Sequence, residues 1–142
     1  MNLQTLATDN ITELLLKIIE FTQNRQEIII QNIKSAHNCN FVPKDMPVEE
    51  FSNLMNIALF EHALNQRLLL CDGRHIKFGA NGTIEITPVI DAQGKLLLEK
   101  DRNGFLRAQI TKLMENTLNQ KIATEMLRQK QSQNTRLGRR LN

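Results

Sequence analysis

The first part of the chain places its large apolar residues at alternating three- and four-residue steps, with charged and amide residues between them. This spacing is typical of one face of an α-helix, and no proline or glycine interrupts it before Pro43. We therefore predict one long helix over residues 9–36, with Asp9 or Asn10 capping its start. The apolar positions of this face are Ile11, Leu14, Ile18, Phe21, Ile28 and Ile33.

A heptad frame through this face puts two polar residues, Arg25 and Asn32, at positions that are otherwise apolar. Polar residues in such a seam cost stability but fix the register between helices. We expect both side chains to hydrogen-bond across helices or to the loop that follows, at Asn38 and Asn40. The helix should also meet neighbours on more than one side, because further apolar residues widen its surface: Leu15, Ile19, Ile29 and Ile30.

Two prolines, Pro43 and Pro47, and several turn-forming residues indicate a loop over residues 37–47. A shorter helix is predicted over residues 48–70, with Asp45 or Glu49 favouring its N-terminus through the helix dipole. The residues expected near one side of this helix are Phe51, Leu54, Met55, Ala58, Leu59, His62 and Leu68.

The pattern then changes to period two, which is typical of a half-buried strand, over Thr83-Ile84-Glu85-Ile86-Thr87. Asn81-Gly82 favours a tight turn that pairs this strand with Ile76-Lys77-Phe78. A further short strand is predicted over residues 95–99. Residues 74–102 are thus expected to form a small, partly irregular β section.

Helical spacing returns after Gly104 and predicts a C-terminal helix over residues 104–137. Many of its apolar residues are four apart, so they drift around the helix, and we expect several separate contacts instead of one flat seam. These residues are Leu106, Ile110, Leu113, Met114, Leu118, Ile122, Met126 and Leu127.

Residues 1–142 are accordingly predicted to form a single, mainly α domain. Its long N- and C-terminal helices should pack as a coiled-coil-like bundle, with the shorter middle helix and the β section between them in sequence. A hydrophobic content of 41% supports a core of this size, whereas an aromatic content of 4% supplies few of the stacking surfaces that nucleic-acid sites use.

The residues that could bind a metal or act in catalysis do not change the predicted fold class. Two nitrogens and two sulfurs, from His37, Cys39, Cys71 and His75, match the ligand set of a tetrahedral zinc site, but His-x-Cys is not a usual zinc spacing. No histidine lies in a catalytic motif, so we predict no enzyme activity, no cofactor, no metal and no small-molecule substrate. The basic C-terminal residues Arg136, Arg139 and Arg140 favour a solvated tail over a nucleic-acid site.

A family resemblance gives this helical chain a specific interpretation. Residues 25–45, RQEIIIQNIKSAHNCNFVPKD, closely resemble the N-terminal signature of the FlgB-type proximal-rod proteins of the bacterial flagellar basal body. The chain departs from that signature at Lys34, Ser35, Asn38 and Cys39, where the family has Ala, Asn, Thr and Pro. The matching positions are Arg25, Gln26, Ile28, Asn32, Ile33, Ala36, Phe41, Lys44 and Asp45.

Two later segments carry the same resemblance. Arg74-His75-Ile76 resembles a basic-His-Ile segment that precedes the family's variable region. Asn116, within Glu115-Asn116-Thr117-Leu118, matches the asparagine of a motif in the family's C-terminal helix. Around Asn103 the family's acidic motif is nearly lost.

The resemblance implies a structural role in the periplasmic rod of the flagellar basal body, where subunits transmit torque for motility. It implies export through the flagellar type III apparatus without a cleaved signal peptide. The implied partners are copies of this chain, other rod proteins, the membrane-ring and rod-adaptor proteins, and the export apparatus. The competing hypothesis is a cytoplasmic helical adaptor or export-chaperone-like protein, because amphipathic helices with surplus apolar surface also suit partner helices.

Overall fold

The computed structural model describes residues 3–80 and 82–141 and contains two long helices, two shorter ones and four short strands. The mainly α fold with long terminal helices is confirmed. In chain order the elements are α1 (Leu3–Ser35), β1 (Lys44–Asp45), α2 (Val48–Asn65), β2 (Ile76–Phe78), β3 (Ile84–Ile86), β4 (Val89–Ile90), α3 (Ala92–Lys100) and α4 (Arg102–Leu141).

Helices α1 and α4 lie antiparallel along each other. Asn32 near the end of α1 contacts Gln109 near the start of α4, whereas Thr22, earlier in α1, contacts Asn116, later in α4. At 1.5 Å per residue the two helices are about 50 and 60 Å long. They form the body of the molecule, and α2 and the β2–β3 hairpin pack on a different side of α1.

The main hydrophobic core lies between α1, α2 and the hairpin, as the heptad face of α1 requires. The rings of Phe21 and Phe51 stack with their centroids 4.0 Å apart. Ile76 and Ile84 close the core from β2 and β3. No residue of α4 belongs to this cluster among the residues that the structure describes. Its buried members are Leu14, Phe21, Met46, Phe51, Leu54, Met55, Ala58, Ile76 and Ile84.

The predicted hairpin is present, with Ile76 opposite Ile86 and Phe78 opposite Ile84. Gly82 adopts a positive φ of 76° in the connection, which glycine allows at low cost. Asn81, the other predicted turn residue, lies outside the described residues. The buried side chain of Lys17 donates to the carbonyl of Gly82 and so ties the hairpin connection to α1.

Some predicted boundaries are wrong. Helix α1 begins at Leu3, so neither Asp9 nor Asn10 caps it; instead the Asn10 amide donates to the carbonyl of Gln66, 3.2 Å away. Helix α2 ends at Asn65, not residue 70, because Gln66 adopts the left-handed conformation and its N–H caps the helix on His62. The predicted 37–47 loop contains β1, and α4 extends beyond the predicted 104–137 at both ends.

The predicted strand over residues 95–99 is also wrong, because this segment belongs to α3. The Asp91 side chain accepts from the Gly94 N–H at 2.9 Å and caps α3, which then continues through three consecutive leucines. The second small sheet is formed instead by β4 and β1, in which Lys44 lies opposite Ile90 and Asp45 opposite Val89.

Candidate assembly site

An ion pair from the signature joins α1 to the strand that follows its loop. The Arg25 guanidinium donates to both carboxylate oxygens of Asp45, with Nε to Oδ1 at 3.0 Å and Nη2 to Oδ2 at 3.2 Å. Asp45 Oδ1 also accepts from the Met46 N–H at 2.7 Å. A two-point contact of this kind fixes the direction as well as the distance between the groups. Two signature residues that are 20 positions apart therefore set how the chain returns along α1.

The same carboxylate reaches α4 through a lysine that the signature does not include. Lys112 Nζ lies 3.2 Å from Asp45 Oδ2 and 3.0 Å from Asp91 Oδ2. The Asp91 N–H donates to the carbonyl of Pro43 at 3.0 Å. Arg25, Asp45, Lys112 and Asp91 thus form one alternating chain of charges, which we call the charge network. It connects α1, β1, α4 and the start of α3.

The charges in this network shift one another's protonation. Burial raises the pKa of Asp45, but the hydrogen bonds and positive charges of Arg25 and Lys112 outweigh burial and hold that pKa below its ordinary value. Burial lowers the pKa of Lys112, but its bonds to Asp91 and Asp45 outweigh this effect and raise that pKa above its ordinary value. Both groups are consequently charged at neutral pH.

Asn32 forms a second connection, beside the charge network. Its amide nitrogen donates to the carbonyl of Lys44 at 2.7 Å and to Gln109 Oε1 at 3.0 Å, and its oxygen accepts from the Lys44 N–H at 3.3 Å. Of the predicted bonding across helices or to the loop at Asn38 and Asn40, Asn32 makes the bond across helices, to Gln109. Arg25 makes neither, because its guanidinium bonds to Asp45 of β1. Their partners are Asp45, Lys44 and Gln109, and not Asn38 or Asn40.

Asn116, the matching residue of the C-terminal motif, fixes the α1–α4 pair further along. It is 1% exposed, and its amide donates to the carbonyl of Thr22 at 2.7 Å. Gln109, also 1% exposed, and the small buried side chain of Ala123 lie on the same side of α4, at successive seven-residue steps. These three positions of the seam therefore hold amides and a small residue, where a coiled coil usually has large apolar ones. Phe105, four residues before Gln109 on the same side, is fully buried and supplies a large apolar side chain at the start of the seam.

The remaining signature residues have structural surroundings of several kinds. Ile28 packs against the main core and Ala36 is buried at the end of α1. Gln26 and Ile33 are half-buried, and Phe41 lines an open groove of about 580 Å³ between the loop and α3. Only Arg25, Asn32, Lys44 and Asp45 are brought together in one connected set.

The basic-His-Ile segment is held by a glutamate on α2. Glu50 accepts from the Arg74 N–H at 3.0 Å and from the His75 N–H at 3.0 Å. His75 Nδ1 lies 3.4 Å from the same carboxylate, whereas the Arg74 side chain extends toward solvent. Arg74 and His75 therefore lie apart from the charge network and position the start of the hairpin.

Phe105 is fully buried on the seam side of α4, whereas several other apolar residues lie on the side away from that seam. We call five of them, spaced four apart, the α4 stripe. All five are about half exposed or more, and Met114 is 68% exposed. They drift about 40° per step and so cross the outer face diagonally. The α4 stripe consists of Ile110, Met114, Leu118, Ile122 and Met126.

Helix α2 has a similar surface on the side away from its core contacts. Ile57, Phe60 and Leu64 are exposed there, with Phe60 at 67%, and we call these three residues the α2 face. Three- and four-residue spacing aligns them along one side of the helix. The protein thus has two separate apolar helical surfaces without a partner in the described chain.

The alternative site chemistries find no assembled geometry in the described part of the chain. No group of three or more His, Cys, Asp or Glu residues there is placed to hold a metal ion, and His37 and Cys39 are both exposed. None of the described helices is long and apolar enough to cross a bilayer. The side chains of Arg139 and Arg140 lie outside the described residues, and Arg136 is exposed.

Sequence reasoning missed four residues that complete these connections: Glu50, Asp91, Gln109 and Lys112. Their partners are 21 to 77 positions away, so local spacing does not reveal them. A signal was present in α4, where Gln109, Lys112 and Asn116 follow one another at helical steps on one side. Amide and charged side chains at successive helical steps, on a helix with many apolar residues, indicate polar contacts with another element.

In comparisons with known proteins, no protein-family model, no curated protein and no solved structure matches this chain. The resemblance to rod proteins therefore rests on the signature residues of the sequence.

Proposed function

We propose that this chain is a structural subunit of the bacterial flagellar basal-body rod, of the FlgB type. In this role it assembles axially in the periplasm, links the membrane-embedded base to the distal rod, and transmits torque without catalysis. Its partners are then copies of itself, other rod proteins, and the membrane-ring and rod-adaptor proteins. The flagellar export apparatus delivers it without a cleaved signal peptide.

The proposal rests on the apolar surface that α4 leaves uncovered, although the same helix also buries Phe105 on its seam side. Its seam with α1 buries Gln109 and Asn116, whereas the α4 stripe faces outward. A surface helix of a protein that functions alone normally turns its apolar side to the core. Large exposed apolar patches mark surfaces that bind another macromolecule. An assembly subunit explains both features, because its register is set internally and its apolar surface is covered by neighbours.

The signature residues support the same proposal. Arg25, Asn32, Lys44 and Asp45 together fix the angle at which the loop and β1 return against α1 and α4. A subunit that transmits torque needs this junction to be rigid, and ionic and amide bonds with restricted geometry provide such rigidity.

A deletion strain tests the proposal directly. Cells lacking this chain should be non-motile and should contain basal bodies without a complete rod when imaged. Complementation with the wild type should restore motility and a complete rod, whereas complementation with Met114→Glu should restore neither. The matched control is Asn119→Glu, at an exposed position of α4 outside the stripe, which should restore both. An intact rod in the deletion strain contradicts the proposal.

The α4 stripe also fits a helical adaptor that binds the apolar side of a partner helix. Fractionation separates the two functions. A rod subunit co-purifies with detergent-extracted basal bodies, whereas an adaptor remains in the soluble cytoplasmic fraction.

A further inference from the structure

The middle of the α4 stripe is the part that a partner helix would cover. Its three central members, Met114, Leu118 and Ile122, are 50 to 68% exposed. Residues four apart on a helix form a row that is inclined by about 26° to the helix axis. The direction of this row, together with the charges beside it, indicates what kind of surface fits over it.

Two charged residues lie beside the row, one on each side. Glu115 comes three residues before Leu118 and Lys121 three residues after it, which places them about 60° to either side of Leu118 on the helix. Both are exposed, and neither forms an ion pair with a described residue. The other charged residues along the stripe, Lys112 and Glu125, already have partners.

A two-fold axis that runs along the row brings these charges together. Rotation about this axis lays a second α4 over the first, so that each residue of the row meets the same residue of the other copy. The rotation also exchanges the two sides of the row. Glu115 of each copy therefore lies across from Lys121 of the other. Because each helix is inclined to the shared row, the two helices cross at about 50°, as in the commonest class of helix packing.

The reverse orientation of the second helix is disfavoured by the same charges. If the two rows run in opposite directions, the two-fold axis lies across them, and each side of one copy faces the same side of the other. Glu115 would then lie across from Glu115, and Lys121 across from Lys121. Like charges in these positions oppose association, whereas the parallel rows pair opposite charges twice.

The polar residues further along the row fit the parallel orientation as well. The two-fold rotation places Thr111 across from Thr117 of the second copy, and Asn119 across from Glu125. These pairs contain no like charges. The stretch of α4 that contains the stripe is thus complementary to itself in charge as well as in apolar surface.

We infer that the α4 stripe binds the α4 stripe of a second copy in a two-fold dimer, with Leu118 on the axis and Glu115 paired with Lys121 on both sides. Such a contact joins identical surfaces and closes after two copies, so it does not extend into an array. The inference uses the stripe that the proposed function also uses, but it does not depend on a role in the rod.

The extent of the stripe indicates how strong the dimer is. Five side chains that are about half exposed present on the order of 500 Å² per copy, taking about 200 Å² for a large side chain in full contact with solvent. A stable two-partner interface buries about 800 Å² on each side. Dimerisation should accordingly be weak and should depend on concentration.

Charge reversal tests the pairing by sedimentation velocity over a range of concentrations. The wild-type chain, 16.3 kDa as a monomer, should be in equilibrium with a species of twice that mass. Glu115→Lys or Lys121→Glu alone converts both attractive pairs into repulsive ones, which should weaken dimerisation by on the order of tenfold at low salt. Both positions are exposed, so the fold should be retained, and far-UV circular dichroism checks that it is.

Two samples should restore the match of charges. The double variant Glu115→Lys/Lys121→Glu exchanges the charges across the row and should dimerise like the wild type. A mixture of the two single variants should form heterodimers, because every pair in a mixed dimer again joins opposite charges. The matched control is Glu27→Lys, the same reversal at an exposed position of α1, which should dimerise like the wild type.

A cysteine on the two-fold axis tests the geometry of the contact. In a chain whose Cys39 and Cys71 are replaced by Ala, Leu118→Cys should form an intermolecular disulfide in air, because a residue on the axis meets its own copy. Asn119→Cys is the control, since the two copies of this position lie on opposite sides of the row. It should cross-link far more slowly.

Four results would overturn the inference. The wild type could remain monomeric at the highest concentration reached, the single charge variants could dimerise as well as the wild type, their mixture could stay monomeric, or positions 118 and 119 could cross-link at equal rates. The deletion strain tests the proposed function separately. An intact rod in that strain removes the rod role and leaves a measured dimer in place, whereas rod loss with a monomeric chain removes the dimer alone.

Discussion

Asp45 is the point at which α1, β1 and α4 are joined by charge, so replacing it by asparagine tests the network with almost no change in shape. In the Asp45→Asn variant, the oxygen of the new amide group would still accept from the Met46 N–H. The amide would no longer neutralise Arg25, although Lys112 would keep its bond to Asp91 at 3.0 Å. The variant therefore removes one charge and leaves packing in place.

The expected loss of stability follows from burial. The Arg25 and Asp45 side chains are 11% and 15% exposed, so the pair is largely removed from water. Removing one partner of a fully buried pair costs about 3–5 kcal/mol, and the residual exposure and retained bonds here place the cost at about 2–3 kcal/mol. For a chain of this length that loss lowers the midpoint of thermal unfolding by on the order of 10 °C.

The loss should depend on pH in a known direction. Because the folded-state pKa of Asp45 is lowered, its stabilising contribution is fully present above the pKa that the group has in the unfolded chain, and it is lost as the pH falls through the folded-state pKa. The asparagine variant has no such charge at any pH. The difference in the free energy of unfolding between the two proteins should thus be largest near neutral pH and should become small in acid.

Urea unfolding followed by far-UV circular dichroism, at about pH 7 and about pH 3, measures both quantities. The matched control is Glu125→Gln, which removes a carboxylate from the exposed pair with Arg128 and should leave unfolding near neutral pH unchanged. If Asp45→Asn unfolds like the wild type near neutral pH, or if its deficit persists unchanged in acid, the charge network does not hold the elements together as argued.

Three further changes test other connections. Lys112→Gln should destabilise the protein at neutral pH. Because the folded-state pKa of Lys112 is raised, the difference in stability from the wild type should shrink above pH 10.5, as wild-type Lys112 loses its proton. Urea unfolding across alkaline pH measures this difference. Asn116→Ala should cost about 1–3 kcal/mol in urea unfolding, because the buried hydrogen bond from its amide to the Thr22 carbonyl is lost. Glu50→Ala should speed hydrogen exchange at the His75 amide, whereas a wild-type exchange rate there would contradict the contact.

The parts of the fold that sequence periodicity predicted are those in which one face of an element is apolar. The heptad face of α1 and the alternation of Ile84 and Ile86 identify their elements because burial against one core selects that spacing. The strand predicted over residues 95–99 was wrong because three consecutive leucines between charged residues fit neither period. The local signal that determines α3 is instead Asp91, whose side chain caps the helix.

The residues of the candidate site likewise fall into those that the sequence pattern identified and those that it did not. Arg25 and Asn32 stood out because a polar residue in an apolar frame needs a partner, and the structure provides Asp45, Lys44 and Gln109. Lys112 could not be assigned from spacing, since its contact with Asp45 spans 67 positions and depends on how α4 docks.

Helix α4 uses its two sides for different physical purposes. Hydrogen bonds at Asn116 and Gln109 contribute little net free energy but are costly to misplace, so they select one register along α1. Apolar contact is undirected and scales with area, so the α4 stripe contributes only when another surface covers it. Binding of a partner to the α4 stripe would add to the stability of α4, because it stabilises the docked state over the open one. Folding of α4 and assembly of the subunit are then coupled, and the register chosen inside the chain decides where its outer stripe meets the next molecule.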